Sequence, residues 1–323
     1  MKLQTLSRVA ERIYWMGRYI ERAESTARLI AVHADLLMDL PVRRALDWRV
    51  LMDITGSSAL FATLYDDTTE RNVVRYLASD PRNPSSILSS LAHAMENMRT
   101  VRDTMPRVTF EYVNELYLFA RSGLQGPLSR SRRVEVLEGI ARRVQQLEGF
   151  LSSNMTHDDK WQFLRLGNHI ERADMTTRII DVRSEAGSAD EPFEPIQWRG
   201  VLRSLYALQS YQAIMQAPVE GPAVLEFLFQ YEDQPRSYAS CLNSLLFGLR
   251  RLPRCDGPLR VCHAMIHHIE EASVRDLEGA DLHAFVDGCQ VQLGSLHDVI
   301  ASTYFHYVPR VPARARRKEA KGS

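Results

Sequence analysis

Apolar residues near the start of the chain recur every three or four positions, the spacing of one face of an α-helix. The stripe begins at Val9 and ends at Leu37, and Pro41 interrupts the helical pattern soon afterwards. We therefore predict a long first helix over about residues 3–40. The members of the stripe are Val9, Ile13, Met16, Ile20, Ala23, Ala27, Ile30, Ala34 and Leu37.

Helical patterns continue along the chain, and the alternation typical of strands is essentially absent. We predict an all-α protein, a helical bundle of two pseudo-symmetric tandem repeats with about six helices each. The predicted helices of the first half are 3–40, 47–65, 70–78, 83–105, 108–120 and 131–154. Those of the second half are 158–185, 196–215, 222–230, 235–252, 258–277 and 281–307, after a loop at 186–195.

The two halves resemble each other at an offset of 150 residues. The segment 17–30 and the segment 167–180 share eight identical residues, and Trp48-Arg49 matches Trp198-Arg199 at the same offset. A colinear series of this kind indicates a tandem duplication. We expect a first repeat at 1–155, a second at 156–308, and a disordered basic tail at 309–323.

A charged stripe runs beside the apolar stripe in the first helix of each half, and each charged stripe contains a glycine near its start. Glycine inside a helix costs about 1 kcal/mol relative to alanine. Two glycines at equivalent positions, Gly17 and Gly167, therefore predict close approach of another backbone or a ligand. The charged residues that follow them are Glu21, Arg22, Glu24 and Arg28, and Glu171, Arg172, Asp174 and Arg178.

Two interpretations of this charged stripe are open. Glu24 and Arg28 have the i, i+4 spacing of a helix salt bridge, so the stripe can be a buried network that sets the register of the halves. Alternatively it forms a polar site between the halves, in which Glu21 and Glu171 act as catalytic bases. The substrate-binding residues would then be Arg22, Glu24, Arg28, Arg172, Asp174 and Arg178.

Other chemistry-bearing patterns are weak. His263, His267 and Glu270 share one face of a predicted helix, but no second helix carries the matching Glu-x-x-His pair of a di-iron bundle. We expect a surface face there and no metal site. The phosphate-binding glycine loops GxxxxGK[ST] and GxGxxG and the GxSxG nucleophile motif are absent, so we expect no cofactor bound by this chain alone.

Composition limits the cellular compartments and the classes of binding partner that we expect for this protein. Basic and acidic residues balance at 40 each, which gives no general attraction to nucleic acid or to an anionic membrane. We find no signal peptide and no apolar run of membrane-spanning length. Four cysteines without a CxxC pair are typical of a reducing compartment. These features predict a cytoplasmic protein with no membrane or nucleic-acid partner.

The opening motif and the two Ile-Glu-Arg-Ala segments, at 20–23 and 170–173, resemble the bacterial Alpha-E domain family. The resemblance extends over about residues 1–308 and includes Arg99-x-x-Arg102-Asp103 and Pro235-Arg236-Ser237. It implies a helical, usually duplicated domain whose hallmark is the Glu-Arg motif. It also implies gene neighbourhoods with circularly permuted ATP-grasp ligases, transglutaminase-like proteins and Ntn-hydrolase peptidases.

From this resemblance we expect an accessory or co-catalytic subunit that works with a circularly permuted ATP-grasp ligase in peptide or amide-bond synthesis or modification. ATP and Mg would then be bound by the partner ligase. The alternatives are a free-standing carboxylate-dependent enzyme and a purely structural scaffold.

Overall fold

The computed structural model describes residues 5–39, 47–126, 129–182 and 194–305. Fourteen α-helices and two short 3-10 helices make up this part of the chain, which contains no strand. The predicted all-α class is therefore confirmed. Most of the predicted loop at 186–195 and the whole predicted tail at 309–323 lie outside the described residues.

The helices of the first half are α1 (Ser7–Asp39), α2 (Arg49–Ile54), α3 (Ser58–Leu64), α4 (Glu70–Ala78), α5 (Ile87–Val101), α6 (Arg107–Gly123) and α7 (Arg130–Asn154). Those of the second half are α8 (Asp159–Asp181), α9 (Glu194–Ser204), α10 (Leu208–Met215), α11 (Gly221–Gln230), α12 (Tyr238–Arg250), α13 (Asp256–Glu270) and α14 (Gly279–Tyr304). The 3-10 helices are Arg102–Thr104 and Val274–Asp276.

Two predicted helices, 47–65 and 196–215, are each divided into two, which gives seven α-helices in each described half instead of six. The breaks contain Gly56 with φ 61° and Tyr206 with φ 50°. Positive φ is incompatible with a right-handed helix and ends it. Gly56 adopts this backbone readily, whereas a tyrosine does so only under strain.

Serine side chains set the start of several helices. Ser86 Oγ accepts a hydrogen bond from the amide of Ser89 at 3.2 Å, and Ser237 begins α12 in the same way. Asn83, the first residue of the predicted helix 83–105, lies in the preceding turn, where its Oδ1 accepts a hydrogen bond from the amide of Ser85 at 2.9 Å. The helix consequently begins at residue 87, a few residues later than the sequence pattern suggested.

The long helices α1 and α8 lie at the centre of the fold. α1 packs along α8, α5 and α7, and α8 packs in addition against α12 and α14. The predicted apolar stripe of α1 is confirmed as core, with only Val9 and Leu37 partly exposed. Buried side chains from both halves belong to one hydrophobic core. The boundary between repeats near residue 155 stays a prediction.

Among the helices of the described ranges, none is both long and apolar enough to cross a membrane.

Candidate functional site

The two central helices touch backbone to backbone at the paired glycines. A Cβ on Gly17 would lie 2.6 Å from the carbonyl oxygen of Leu164, and a Cβ on Gly167 would lie 2.1 Å from that of Tyr14. No side chain fits in either place. The close approach that the sequence predicted for Gly17 and Gly167 is therefore confirmed, and its partner is the other central helix.

The Glu-Arg motif of each central helix pairs with the motif of the other. Arg172 donates two hydrogen bonds to Glu21, Nε to Oε1 at 3.2 Å and Nη2 to Oε2 at 2.6 Å. Arg22 donates two to Glu171, Nε to Oε1 at 2.5 Å and Nη2 to Oε2 at 3.0 Å. Each glutamate thus forms a bidentate ion pair with the arginine of the opposite motif, and this geometry fixes the relative position of the two helices.

A further arginine completes the contacts of each glutamate. Arg236 Nη1, just before α12, donates to Glu21 Oε1 at 2.7 Å, and Arg18 Nε donates to Glu171 Oε2 at 2.8 Å. Both glutamate side chains are almost fully buried. Two ionic groups therefore surround each buried carboxylate, as a stable buried charge requires.

The remaining predicted residues lie next to these glutamates and define two clusters. The Glu21 cluster consists of Glu21, Glu24, Arg28, Glu148, Arg172 and Arg236. The Glu171 cluster consists of Arg18, Arg22, Glu171, Asp174 and Arg178. Within the clusters, Arg28 Nη1 donates to Glu24 Oε1 at 2.5 Å, and Arg178 Nε donates to Asp174 Oδ2 at 2.9 Å. All eight site residues predicted from the sequence belong to these clusters.

Three network residues were missed as site residues: Arg18, Glu148 and Arg236. Glu148 on α7 accepts from Arg172 Nη2 and from Asn168 Nδ2, each at 3.3 Å. No periodicity in α1 or α8 points to a carboxylate on a different helix. The sequence indicated Arg236 only as part of the Pro235-Arg236-Ser237 segment of the family resemblance, whereas it joins Glu21 to Glu24 through its two terminal nitrogens.

The arginines keep the two motif glutamates ionised. Burial alone would raise the pKa of Glu21, but the charges of Arg172 and Arg236 overcome this effect and the pKa is lowered. The pKa of Glu171 is lowered against the effect of burial by Arg18 and Arg22. Glu148 behaves in the opposite way, because burial and the nearby charge of Glu21 raise its pKa in spite of Arg172.

These charge states limit what the network can do chemically. A carboxylate that accepts hydrogen bonds from two arginines and has a lowered pKa is a weak proton acceptor. The geometry around Glu21 and Glu171 is therefore better suited to ion pairing than to proton abstraction, and their catalytic role stays a prediction. The two clusters bring six arginines to five carboxylates, so fixed positive charge exceeds fixed negative charge.

Among the described residues no group of three or more His, Cys, Asp or Glu side chains is arranged to hold a metal ion. His263, His267 and Glu270 all lie on the exposed side of α13, and His267 Nε2 is 3.5 Å from Glu271 Oε1.

A cavity of about 230 Å³ lies among α11, α12 and α13, and no residue of the two clusters lines it. Its lining includes the apolar residues Leu242, Ile266 and Ile269 and the acidic residues Glu232 and Glu270.

Comparison with known proteins identifies the family. Residues 5–305 match the Alpha-E family, described as a predicted alpha-helical domain with a conserved ER motif. The chain belongs to this family, and Glu21-Arg22 and Glu171-Arg172 are the two of its Glu-Arg pairs that stand 150 residues apart. No solved structure matches the chain.

Similar curated proteins come from mycobacteria. Uncharacterized proteins of Mycobacterium bovis and of Mycobacterium tuberculosis strain CDC 1551 are each 23% identical over 332 aligned residues. A third, from M. tuberculosis strain H37Rv, is 22% identical. In each case the match covers 92% of this chain but only 36% of the relative. The chain thus spans about a third of the length of the relatives that it matches.

Proposed function

We propose that this protein is an accessory or co-catalytic helical subunit that works with a circularly permuted ATP-grasp ligase in peptide or amide-bond synthesis or modification. The observation that carries the proposal is the size of the relatives: the region that matches this chain makes up only 36% of each. A domain that occurs as part of a larger polypeptide works beside other protein surfaces. For this chain we propose that those surfaces belong to a circularly permuted ATP-grasp protein.

The proposal assigns the nucleotide chemistry to the partner. ATP-grasp ligases activate a carboxylate as an acylphosphate, which an amine then attacks. ATP and Mg would be bound by the ligase, and the helical subunit would hold the acceptor or keep water from the acylphosphate. The surplus of arginine in the two clusters supports a role in holding an anionic group. A cytoplasmic location, where ATP is supplied, is part of the proposal, as are functional links to transglutaminase-like and Ntn-hydrolase proteins.

We also propose that the two halves arose by duplication and remain related by a pseudo-twofold axis between α1 and α8. The reciprocal contacts support this proposal. Gly17 meets Leu164 as Gly167 meets Tyr14, and each pair of partners is related by the offset of 150 residues. The exchange of arginines between the two Glu-Arg motifs follows the same rule. On this basis the Glu-Arg motif of each repeat stabilises the contact between the two repeats through its ion pairs.

A second candidate function is a free-standing acid-base enzyme. The observation that favours it is Glu148, whose pKa is raised by burial while its side chain keeps 33% of its surface exposed. A carboxyl group with a raised pKa and contact with solvent suits proton transfer. Under this alternative, Glu148→Gln would abolish an activity of the isolated chain.

The first proposal is tested by coexpressing this chain with the circularly permuted ATP-grasp protein of the same genome. We expect a stable complex on pull-down and faster ADP release by the ligase, with an amino-acid panel as acceptors, when the chain is present. Glu21→Gln and Glu171→Gln should reduce this stimulation, and Glu96→Gln, which changes an exposed carboxylate outside both clusters, is their control and should behave as wild type. A ligase that is fully active alone and never binds the chain would rule the proposal out.

A further inference from the structure

The two clusters differ in how they meet solvent, and the difference begins with their outer arginines. In the Glu21 cluster, Arg28 is almost completely buried. Its Nε donates to the carbonyl oxygen of Ser204 at 2.5 Å and its Nη1 to Glu24, and the Tyr206 ring covers the guanidinium at 4.4 Å. Arg236 then fills the remaining space between Glu21 and Glu24. The Arg28 end of this cluster is therefore closed by its own side chains and by Tyr206.

The Glu171 cluster lacks these coverings. Arg178 uses only its Nε, toward Asp174, and within the described residues neither of its terminal nitrogens has a hydrogen-bond partner. The residue beside it is Gly56, whose missing Cβ would lie 3.0 Å from Arg178 Nη1. Gly56 stands at the backbone turn where the other half has Tyr206, so no aromatic ring covers the guanidinium from this position. The Arg178 side chain is consequently 31% exposed.

In the Glu171 cluster, the terminal nitrogens of Arg178 and one carboxylate oxygen of Asp174 have no hydrogen-bond partner among the described residues. Arg18 and Arg22 are taken up by Glu171, while Arg178 and Asp174 share a single hydrogen bond. Asp174 Oδ1 accepts no hydrogen bond from the described residues, and the Asp174 side chain is 19% exposed. Burial alone would lower the pKa of Arg178, but the Asp174 charge raises it, so the guanidinium stays charged.

The terminal nitrogens of Arg178 and Asp174 Oδ1 lie close together, and this arrangement suits one chemical class of ligand. Because Arg178 and Asp174 are joined by a 2.9 Å hydrogen bond, the free end of the guanidinium and the free carboxylate oxygen are neighbours. A ligand that satisfies both needs an anionic and a cationic group a few bonds apart. The terminal nitrogens of an arginine are matched to a carboxylate, and Asp Oδ1 is matched to an ammonium.

We infer that the open end of the Glu171 cluster binds a free α-amino acid, with its carboxylate on Arg178 and its ammonium on Asp174. The α-amino acid is the simplest molecule that carries both groups on one carbon atom. Gly56 places no side chain over the Arg178 guanidinium, whereas Tyr206 covers that of Arg28 at the corresponding end of the Glu21 cluster. The inference concerns this chain alone and holds whether or not the chain also works with a ligase.

The test is calorimetric titration of the purified chain with each of the twenty standard amino acids. The best ligand is then compared with its N-acetyl derivative, which lacks the ammonium, with its amide, which lacks the carboxylate, and with inorganic phosphate. We expect the intact amino acid to bind at least about tenfold more tightly than any of these three. Binding of phosphate or of either derivative as tightly as the amino acid, or no binding by any amino acid, would overturn the inference.

Three variants locate the site. Arg178→Gln should weaken binding at least about tenfold, since it removes the charge that holds the carboxylate. Gly56→Tyr should abolish binding by placing a ring over Arg178, as Tyr206 does over Arg28. Arg142→Gln is the matched control, because Arg142 also pairs with a carboxylate one helical turn away but on the exposed face of α7.

Folding of each variant is checked by circular dichroism and thermal melting. If Gly56→Tyr does not fold, Arg178→Gln decides the question. Unchanged affinity in folded Arg178→Gln would contradict the inference, and so would equal losses in Arg178→Gln and Arg142→Gln. Because no ligase is present in these titrations, their outcome is independent of the coexpression experiment.

Discussion

The Cα of Gly167 lies directly against the carbonyl oxygen of Tyr14, so that a Cβ added at Gly167 would be only 2.1 Å from that oxygen. Both groups are backbone of buried helices, and neither can move without shifting a whole helix. This contact sets the distance between α1 and α8. That distance in turn allows each Glu-Arg motif to reach the other.

Gly167→Ala should therefore destabilise the protein by about 3 kcal/mol or more, because the added methyl group forces the central helices apart. Urea unfolding followed by circular dichroism measures the change. The control is Gly149→Ala in α7, where a Cβ would meet no atom within 4 Å. That change should stabilise the protein by up to about 1 kcal/mol through helix propensity. Similar effects of the two alanines would show that the glycine contact does not matter.

The sequence predicted much of this arrangement, for identifiable reasons. Helical periodicity located both central helices, and the repeated glycine at the same place in each indicated their close approach. The charged stripe identified Glu21, Glu171 and their neighbours, since residues three or four positions apart share a helix face. Local spacing was sufficient wherever the relevant partners lie on one helix.

The rest depended on contacts that local spacing does not encode. Arg236 is separated from Glu21 by more than two hundred residues and Glu148 belongs to another helix, so their roles follow from the packing of α7, α8 and α12. The glycine at position 56 was a sequence signal for the helix break there, but the helical periodicity of residues 47–65 favoured one continuous helix. The break at Tyr206 had none, because nothing in a tyrosine suggests a positive φ.

Removing one motif glutamate should be costly for stability. Glu21→Gln leaves Arg172 and Arg236 buried with less negative charge, and we expect a loss of about 3–5 kcal/mol in the free energy of unfolding. Glu96→Gln removes one member of an exposed pair with Arg99, at 3.5 Å, and should change stability by less than about 1 kcal/mol. Denaturant titrations compare the two. Equal, small effects would mean that the Glu-Arg exchange contributes little to holding the halves together.

Buried histidines should make the protein less stable in mild acid. Burial lowers the pKa of His33 from 6.5 to about 4, and burial together with Arg165 lowers that of His169 well below 6.5. As the pH falls below 6.5, the unfolded chain takes up protons that the folded chain does not, so stability falls toward the folded-state pKa. The expected slope is up to about 1.4 kcal/mol per pH unit for each histidine.

His33→Phe tests this slope, because phenylalanine preserves a ring against Trp48, which His33 meets edge-on at 4.8 Å. The variant should lose part of the dependence of unfolding free energy on pH between about 7 and 5. The exposed residue His263, replaced by Gln, is the control and should leave the slope unchanged. The motif glutamates do not interfere, since their lowered pKa values affect stability only below about 4.5. An unaltered slope in His33→Phe would contradict the assignment.

Thiol reactivity should separate Cys255 from the other three cysteines. Burial raises the pKa of Cys241, Cys262 and Cys289 to about 12 each, whereas Cys255 is only partly buried at the start of α13. The thiolate is the reactive form, so the three buried thiols should resist iodoacetamide at about pH 8 while Cys255 is alkylated. Mass spectrometry of the labelled protein identifies the modified residues.

Two controls give this labelling experiment its meaning. Cys255→Ser should leave the folded protein essentially unlabelled, and in concentrated urea all remaining cysteines should react. Cys241 packs near Arg172 and Arg236, whose charges act on its pKa, so its labelling rate also reports on opening of the Glu21 cluster. Glu21→Gln should therefore speed the alkylation of Cys241 more than that of Cys289. If Cys241 were labelled as fast as Cys255 in the wild-type protein, the Glu21 cluster would open freely. The buried ion-pair network would then not be what holds the two halves together.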